Sequence, residues 1–237
     1  MDISAVLRRK PCWRTPAATA IVLAITIACA PAVCAQKADN DYYTNTDAAL
    51  LRSVEKYHVI RAEDEIRSKY YAPARADLDF ALRYFPNHPR GLLLLVQLCS
   101  EYKQQGCDLD LIFERAIAVN PNAVGTYITQ GVYLHRVKRY SDAVKSYQRA
   151  LELDHDSMNA HYNIALAYLE LKEYDRANEH AQRAYALGAP VPGLRERLKH
   201  LGRWRPAEET PASPRAAAPT GSDMNPAVAA PAEKQPN

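Results

Sequence analysis

The stretch YITQGVYLHRVKRYSDAVKSYQRA, residues 127–150, is answered 34 positions later by HYNIALAYLELKEYDRANEHAQRA, residues 161–184. Lys138, Tyr140, Ala143, Gln148, Arg149 and Ala150 of the first copy return as Lys172, Tyr174, Ala177, Gln182, Arg183 and Ala184 of the second. Leu153 and Leu187 keep the same register. Arg115, Ala116 and Val119 extend it backward by another 34, and Ala81 lies 35 before Ala116, which places one extra residue in a loop. Self-similarity at a fixed period of this size marks a repeat architecture.

Within each unit the apolar residues recur at helical spacing. Tyr127, Gln130, Gly131 and Leu134 share one face of a first helix, and Tyr140, Ala143, Tyr147 and Ala150 share one face of a second. The small residues Gly131 and Ala143, repeated as Ala165 and Ala177, fall where two helices cross closely. Asn120-Pro121, Pro86 and Pro89 punctuate the units, because Pro cannot continue a helix but can open the next one. Each unit is therefore expected to be an antiparallel helical hairpin, and hairpins of this kind stack into a solenoid.

These residues resemble the tetratricopeptide repeat family. The family's sequence of an aromatic, a Leu-Gly pair, an aromatic, Ala, an aromatic and Ala is matched by Tyr127, Gln130-Gly131, Tyr140, Ala143, Tyr147 and Ala150, and then by His161, Ile164-Ala165, Tyr168, Tyr174, Ala177 and Ala184. His155 and Ala189 stand where the family's closing Pro is usual. The resemblance implies an all-α, right-handed superhelical solenoid of about four helix–turn–helix repeats. Their expected bounds are 55–89, 90–123, 124–157 and 158–190 within a solenoid over 46–202. Leu194, Leu198 and Leu201 sit at helical spacing and read as a capping helix over 191–202.

The two ends differ from this middle. Residues 1–35 run from a short basic segment (Arg8, Arg9, Lys10, Arg14) through an apolar run to Val33-Cys34-Ala35. That order is expected of a secretory signal peptide, which places the mature chain in the periplasm or outside the cell. An uncleaved anchor and a lipoprotein acylated at Cys29 are the alternatives, and in either the chain meets a membrane. Residues 36–45 are polar and expected to be flexible. Residues 203–237 hold seven of the 16 prolines and almost no apolar side chain larger than Ala, so they read as a disordered tail.

The formal charge of +3 is concentrated at the start. Residues 1–35 hold four of the 30 basic residues and one of the 27 acidic ones, so the remainder is neutral. A neutral chain argues against a nucleic-acid partner. No Gly-x-Ser-x-Gly elbow, His-Glu-x-x-His pair or phosphate loop is present, so neither an enzyme, a cofactor nor a metal is expected. Asp154-His155-Asp156 with His161 reads as a solvated turn, and Glu63-Asp64-Glu65 as a solvated helix face. Cys99 and Cys107 remain once the leader's three cysteines are set aside. An even pair in an exported protein suggests a disulfide, while a buried Cys99 beside a helix-opening Cys107 is the other reading. The gap between them is similar to that of the staples in cysteine-rich Sel1-like repeat proteins.

The family resemblance implies a protein or peptide partner held in a concave groove lined by the first helices. The faces turned away from the packed stripes give its lining: Leu93 and Gln97, then Ile128, Val132, His135 and Arg136, then Asn159, Tyr162, Leu166, Leu169 and Glu170. Leu93, Ile128, Val132, Tyr162, Leu166 and Leu169 form an apolar strip there, expected to be exposed and centred on Tyr162. The capping helix, the tail or a second copy of the chain is the alternative occupant, so self-association is left open. The expected function is a non-catalytic interaction scaffold or adaptor of the bacterial cell envelope. The alternatives are a Cys29-anchored assembly factor for an envelope or outer-membrane complex and, more remotely, an envelope enzyme scaffolded on the repeats.

Overall fold

Three hairpin turns share one device. Lys69, Lys138 and Lys172 adopt left-handed backbone, with φ of 65°, 64° and 62°. Each follows a helix end and lets the chain fold back over the last turn. At Lys138 its own N–H reaches the His135 carbonyl at 3.0 Å and the Arg139 N–H reaches the Leu134 carbonyl at 2.8 Å. Those two bonds satisfy carbonyls that a helix end otherwise leaves open. Starts are capped as well: Asp47 accepts from the Leu50 N–H, and Asp108 from the Leu111 N–H.

The computed structural model describes residues 40–45, 47–102 and 106–206, and these are helical with no strand among them. The helices are α1 (Ala48–Val54), α2 (Ile60–Arg67), α3 (Tyr71–Tyr84), α4 (Pro89–Glu101), α5 (Leu109–Val119), α6 (Val124–Arg136), α7 (Tyr140–Leu153), α8 (Met158–Glu170), α9 (Tyr174–Ala186) and α10 (Gly193–His200). A π-helical turn, Glu55–Val59, joins α1 to α2. The expected leader with Cys29, and the tail from 207 onward, lie outside the described residues.

Hairpins form from α2 with α3, α6 with α7 and α8 with α9, and the first helices α4, α6 and α8 lie side by side. Small residues set the approach. Ala74, Ala143 and Ala177 are fully buried at equivalent places in these three hairpins. An added Cβ on Gly131 would overlap the ring of Tyr147, which is itself buried. The hairpin of α4 and α5 is the exception: its helices approach each other less closely than those of the other three. By the 34-residue register its counterparts of Ala143 and Gly131 are Leu109 and Gln97, so neither helix offers the small residue that a close crossing needs. The disulfide Cys99–Cys107 closes this same hairpin, with Cα atoms 6.1 Å apart. Of the two readings of this cysteine pair, the structure carries the bond. Arg75 of α3 reaches over it, its Nη1 2.8 Å from Cys107 Sγ.

Two expected loose segments are packed. Asn40 to Thr44 fall in the segment 36–45 expected to be flexible, but they form a turn against the ends of α3 and α5. The Asn40 N–H donates to the Tyr84 carbonyl, and the Tyr42 N–H to Asn87 Oδ1. The Asp41 carboxylate collects donors from Thr44, Asn87, Asn120 and the Tyr43 N–H. Burial raises its pKa, but these hydrogen bonds outweigh burial and hold the carboxyl below its ordinary value. At the other end, Arg203 to Arg205 fall in the expected tail 203–237. Instead the Arg205 backbone exchanges hydrogen bonds with the Asn178 side chain of α9, and Trp204 packs edge-on against Tyr185. Both segments combine specific hydrogen bonds with one aromatic ring packed on the core, Tyr42 in the first and Trp204 in the second.

Candidate functional site

The faces of α4, α6 and α8 that look away from their second helices make one surface with two different halves. In the first half a small, open and mostly apolar depression lies between α4 and α6. Pro89, Leu93, Gly125, Ile128, Thr129 and Val132 line it, and Asn159 of α8 closes one side. Leu93 and Ile128 are half-buried, while Val132 is buried at 1% exposure and forms part of the pocket's wall. Thr129 spends its hydroxyl on the Gly125 carbonyl within its own helix. Asn159 is half-buried and adds an amide to the otherwise apolar lining. Tyr43 of the N-terminal turn stands at the mouth, its hydroxyl 2.5 Å from where a Cβ on Gly125 would sit.

The second half departs from the expected exposed strip. Tyr162, Leu166 and Leu169 are 8%, 7% and 5% exposed. They belong to the same core as Leu194 and Leu198 of α10, which are fully buried. The capping helix turns back over α8 and covers the strip, the alternative occupant considered above. Arg197 of α10 fixes it there through Glu170 at 2.8 Å. The Tyr162 hydroxyl hydrogen-bonds the Leu194 backbone; burial pushes its pKa up, Tyr185 adds to that, and the Leu194 contact opposes it. Tyr162 is thus a core residue and not the centre of an open groove.

The expected polar rim is engaged within the chain. Gln97 donates to Glu101, and Arg136 bridges the same carboxylate at 2.6 Å. His135 sits edge-on to Tyr140, and burial draws its pKa down despite the charge of Glu170. Glu63, Asp64 and Glu65 each meet an arginine: Arg90, Arg67 and Arg61. His88 is buried and caps α4 by accepting the Gly91 N–H on Nδ1 at 3.1 Å. Asp154, His155 and Asp156 are exposed, and His161 lies between the backbone of that turn and His180 of α9. His180 carried no signal in the sequence, because it stands alone in a charged helix. Among the described residues no three His, Cys, Asp or Glu side chains gather around a point, and no helix is long and apolar enough to cross a membrane.

Comparison with known proteins agrees with this architecture. Residues 134–172 match the family model described as TPR repeat, and residues 159–187 match that of the tetratricopeptide repeat. Those segments are tetratricopeptide repeats. The chain is 32% identical over 94 residues to the protein O-mannosyl-transferase TMTC3 of Mus musculus, covering 40% of this chain and 10% of that protein. It is 30% identical over 90 residues to the E3 ubiquitin-protein ligase CHIP of Arabidopsis thaliana, covering 38% of this chain and 32% of that one. The chain thus spans from about a tenth to a third of the length of these relatives. A solved structure of Pseudomonas aeruginosa pilF superposes with a TM-score of 0.52 at 16% identity, over 64% of this chain and 70% of that one, and shares the fold.

Proposed function

We propose that the chain is a non-catalytic interaction scaffold whose open pocket between α4 and α6 holds an apolar segment of a partner protein. The observation that carries this is the pocket itself. Apolar side chains at Leu93 and Ile128 remain accessible although the hairpin cores are complete without them. A contiguous apolar depression on a helical surface is suited to an extended or helical peptide. Asn159 can donate to and accept from such a peptide's backbone. The tetratricopeptide repeats support the reading, since proteins of this family bind protein or peptide partners. The similarity to a mannosyl-transferase covers a tenth of that enzyme. The basic, apolar, small-residue order of residues 1–35 supports export to the cell envelope.

A photo-crosslinking residue placed at Leu93 tests the pocket, with the exposed Leu111 of α5 as a control. The expected result is one dominant adduct at position 93 and none at 111. Ile128→Asp should abolish that adduct while the helical circular dichroism persists. Equal labelling at both positions, or an adduct indifferent to Ile128→Asp, places binding elsewhere. Amino-terminal sequencing of the native protein tests export: the expected first residue is Gln36, and an intact Met1 overturns cleavage.

A further inference from the structure

Helices α8 and α9 bring two histidines together in the last hairpin. His161 Nδ1 lies 3.0 Å from His180 Nδ1. The other nitrogen of His161, Nε2, lies 3.0 Å from the backbone carbonyl of His155. A carbonyl only accepts, so Nε2 of His161 carries that ring's hydrogen and its Nδ1 presents a lone pair. The hydrogen between the two rings therefore belongs to His180. We propose that the pair is a metal site, in which a divalent transition-metal ion of the Zn2+, Cu2+ or Ni2+ class is bound by Nδ1 of His161 and Nδ1 of His180, with water completing its coordination.

Three features of the arrangement support this. The first is distance. Two nitrogens bonded at about 2.0–2.1 Å to one ion stand about 2.9 Å apart in a square-planar shell and about 3.3 Å apart in a tetrahedral one. The observed separation falls between these, so a tilt of the rings admits the ion without moving either helix. The second is the outer contact. A metal-bound imidazole almost always donates its far N–H to a carbonyl or carboxylate, which fixes its tautomer and its direction. His161 makes that bond to His155. The third is the electrostatic setting. Glu179 lies beside His180, and the neighbouring cations are engaged elsewhere: Arg183 pairs with Asp156 at 2.5 Å, and Arg176 pairs with Glu173 and lies over Tyr168. The stacked ring of Tyr168 supports His180 from the side.

The proton balance is simple. As the ion binds, the hydrogen on His180 Nδ1 moves to its Nε2. Both imidazoles stay neutral and keep one N–H each. Imidazole ligation favours Zn, Cu and Ni over the oxygen-seeking Mg and Ca. A site with two protein ligands is open, so it suits reversible binding or sharing of the ion with a second molecule rather than a closed structural role.

The full chain without an affinity tag is titrated with zinc chloride and followed by calorimetry and by long-range proton–nitrogen correlation of the imidazoles. One equivalent is expected to bind, shifting Nδ1 of His161 and of His180. His161→Gln and His180→Gln should each weaken binding beyond the roughly 10–100-fold that loss of an outer partner costs. His155→Gln should leave it unchanged, because only the backbone of that residue is used. The nitrogen shifts on the unmodified chain give the answer even if a variant fails to fold. Absence of saturation at millimolar zinc, saturation that moves other nitrogens such as those of His58, or binding that survives either substitution in a folded variant would each overturn the site.

Discussion

Single residues carry much of the architecture, and two of them can be weighed. Gly131 sits where α6 crosses α7, with the buried ring of Tyr147 in the space a Cβ would take. Gly131→Ala gains about 1 kcal/mol of helix propensity. It also forces a fully enclosed ring to move, and overpacking of this kind costs roughly 1–3 kcal/mol. The ring has nowhere to go, so a net loss is expected, read as a lower urea midpoint with an unchanged slope; a raised midpoint would show that α6 and α7 are free to separate. His88 is the second case. Burial draws its pKa from 6.5 down to about 4, partly opposed by its own backbone carbonyl, which favours the charged ring. Its Nε2–H faces Glu55 at 3.6 Å, too far for a hydrogen bond. The unfolded chain therefore binds a proton below pH 6.5 that the folded chain refuses. Stability from this group is complete above pH 6.5 and falls as the pH drops toward 4, by roughly 3 kcal/mol. His88→Asn keeps an N-cap but removes the proton site, so its stability should decline less over that window. Parallel denaturation curves of the two proteins between pH 7 and 4 would assign the acid sensitivity to other groups.

At the scale of elements, what the sequence made legible depended on periodicity. The 34-residue register located the hairpins because Ala143, Ala177 and their companions must recur wherever two helices touch. It did not announce that the second hairpin is spread. That hairpin carries Leu109 in place of Ala143 and Gln97 in place of Gly131, departures that are visible only after the register is trusted. Nor could spacing say where α10 docks. Leu194 and Leu198 mark an apolar face, but a face does not name the surface it covers. The loop-like composition of Asn40 to Thr44 hid a turn whose order comes from Asp41 gathering four donors. Two predictions belong to this scale. Reducing Cys99–Cys107 should destabilise the chain by roughly 2–3 kcal/mol in the chain-entropy model for so short a loop, and hydrogen exchange should rise first in α4 and α5. Uniform exchange across all hairpins after reduction would mean the bond is not what holds that pair together. Tyr162→Ala should cost roughly 3–5 kcal/mol, as removal of a buried ring does. An unchanged melting temperature would show that α10 leaves the strip open in solution.

Across the whole molecule the concave surface is asymmetric, and the asymmetry sets its capacity. Solenoids need terminal caps because each repeat buries its apolar face only against a neighbour. At the C-terminal end the cap is α10, and it covers not only the end of the stack but also the inner strip of α8. Of the inner faces among the described residues, the α4–α6 portion is the one that α10 leaves uncovered. Arg197 to Glu170 and Arg205 to Asp175 tie the cap to both helices of the last hairpin, but both pairs are exposed and each contributes at most about 1 kcal/mol. The holding force is burial of Leu194 and Leu198 against the Tyr162 core, at about 1.5–3 kcal/mol for each side chain. Truncation after Pro190 therefore has two expected consequences. The melting temperature falls, and the uncovered Tyr162, Leu166 and Leu169 extend the open pocket into a strip that runs to α8. An apolar strip of that extent on a soluble chain drives self-association. Light scattering coupled to size exclusion should then show concentration-dependent oligomers of the truncated chain. A truncated chain that stays monomeric at every concentration and melts with the full-length protein would mean that the strip is closed by something other than α10.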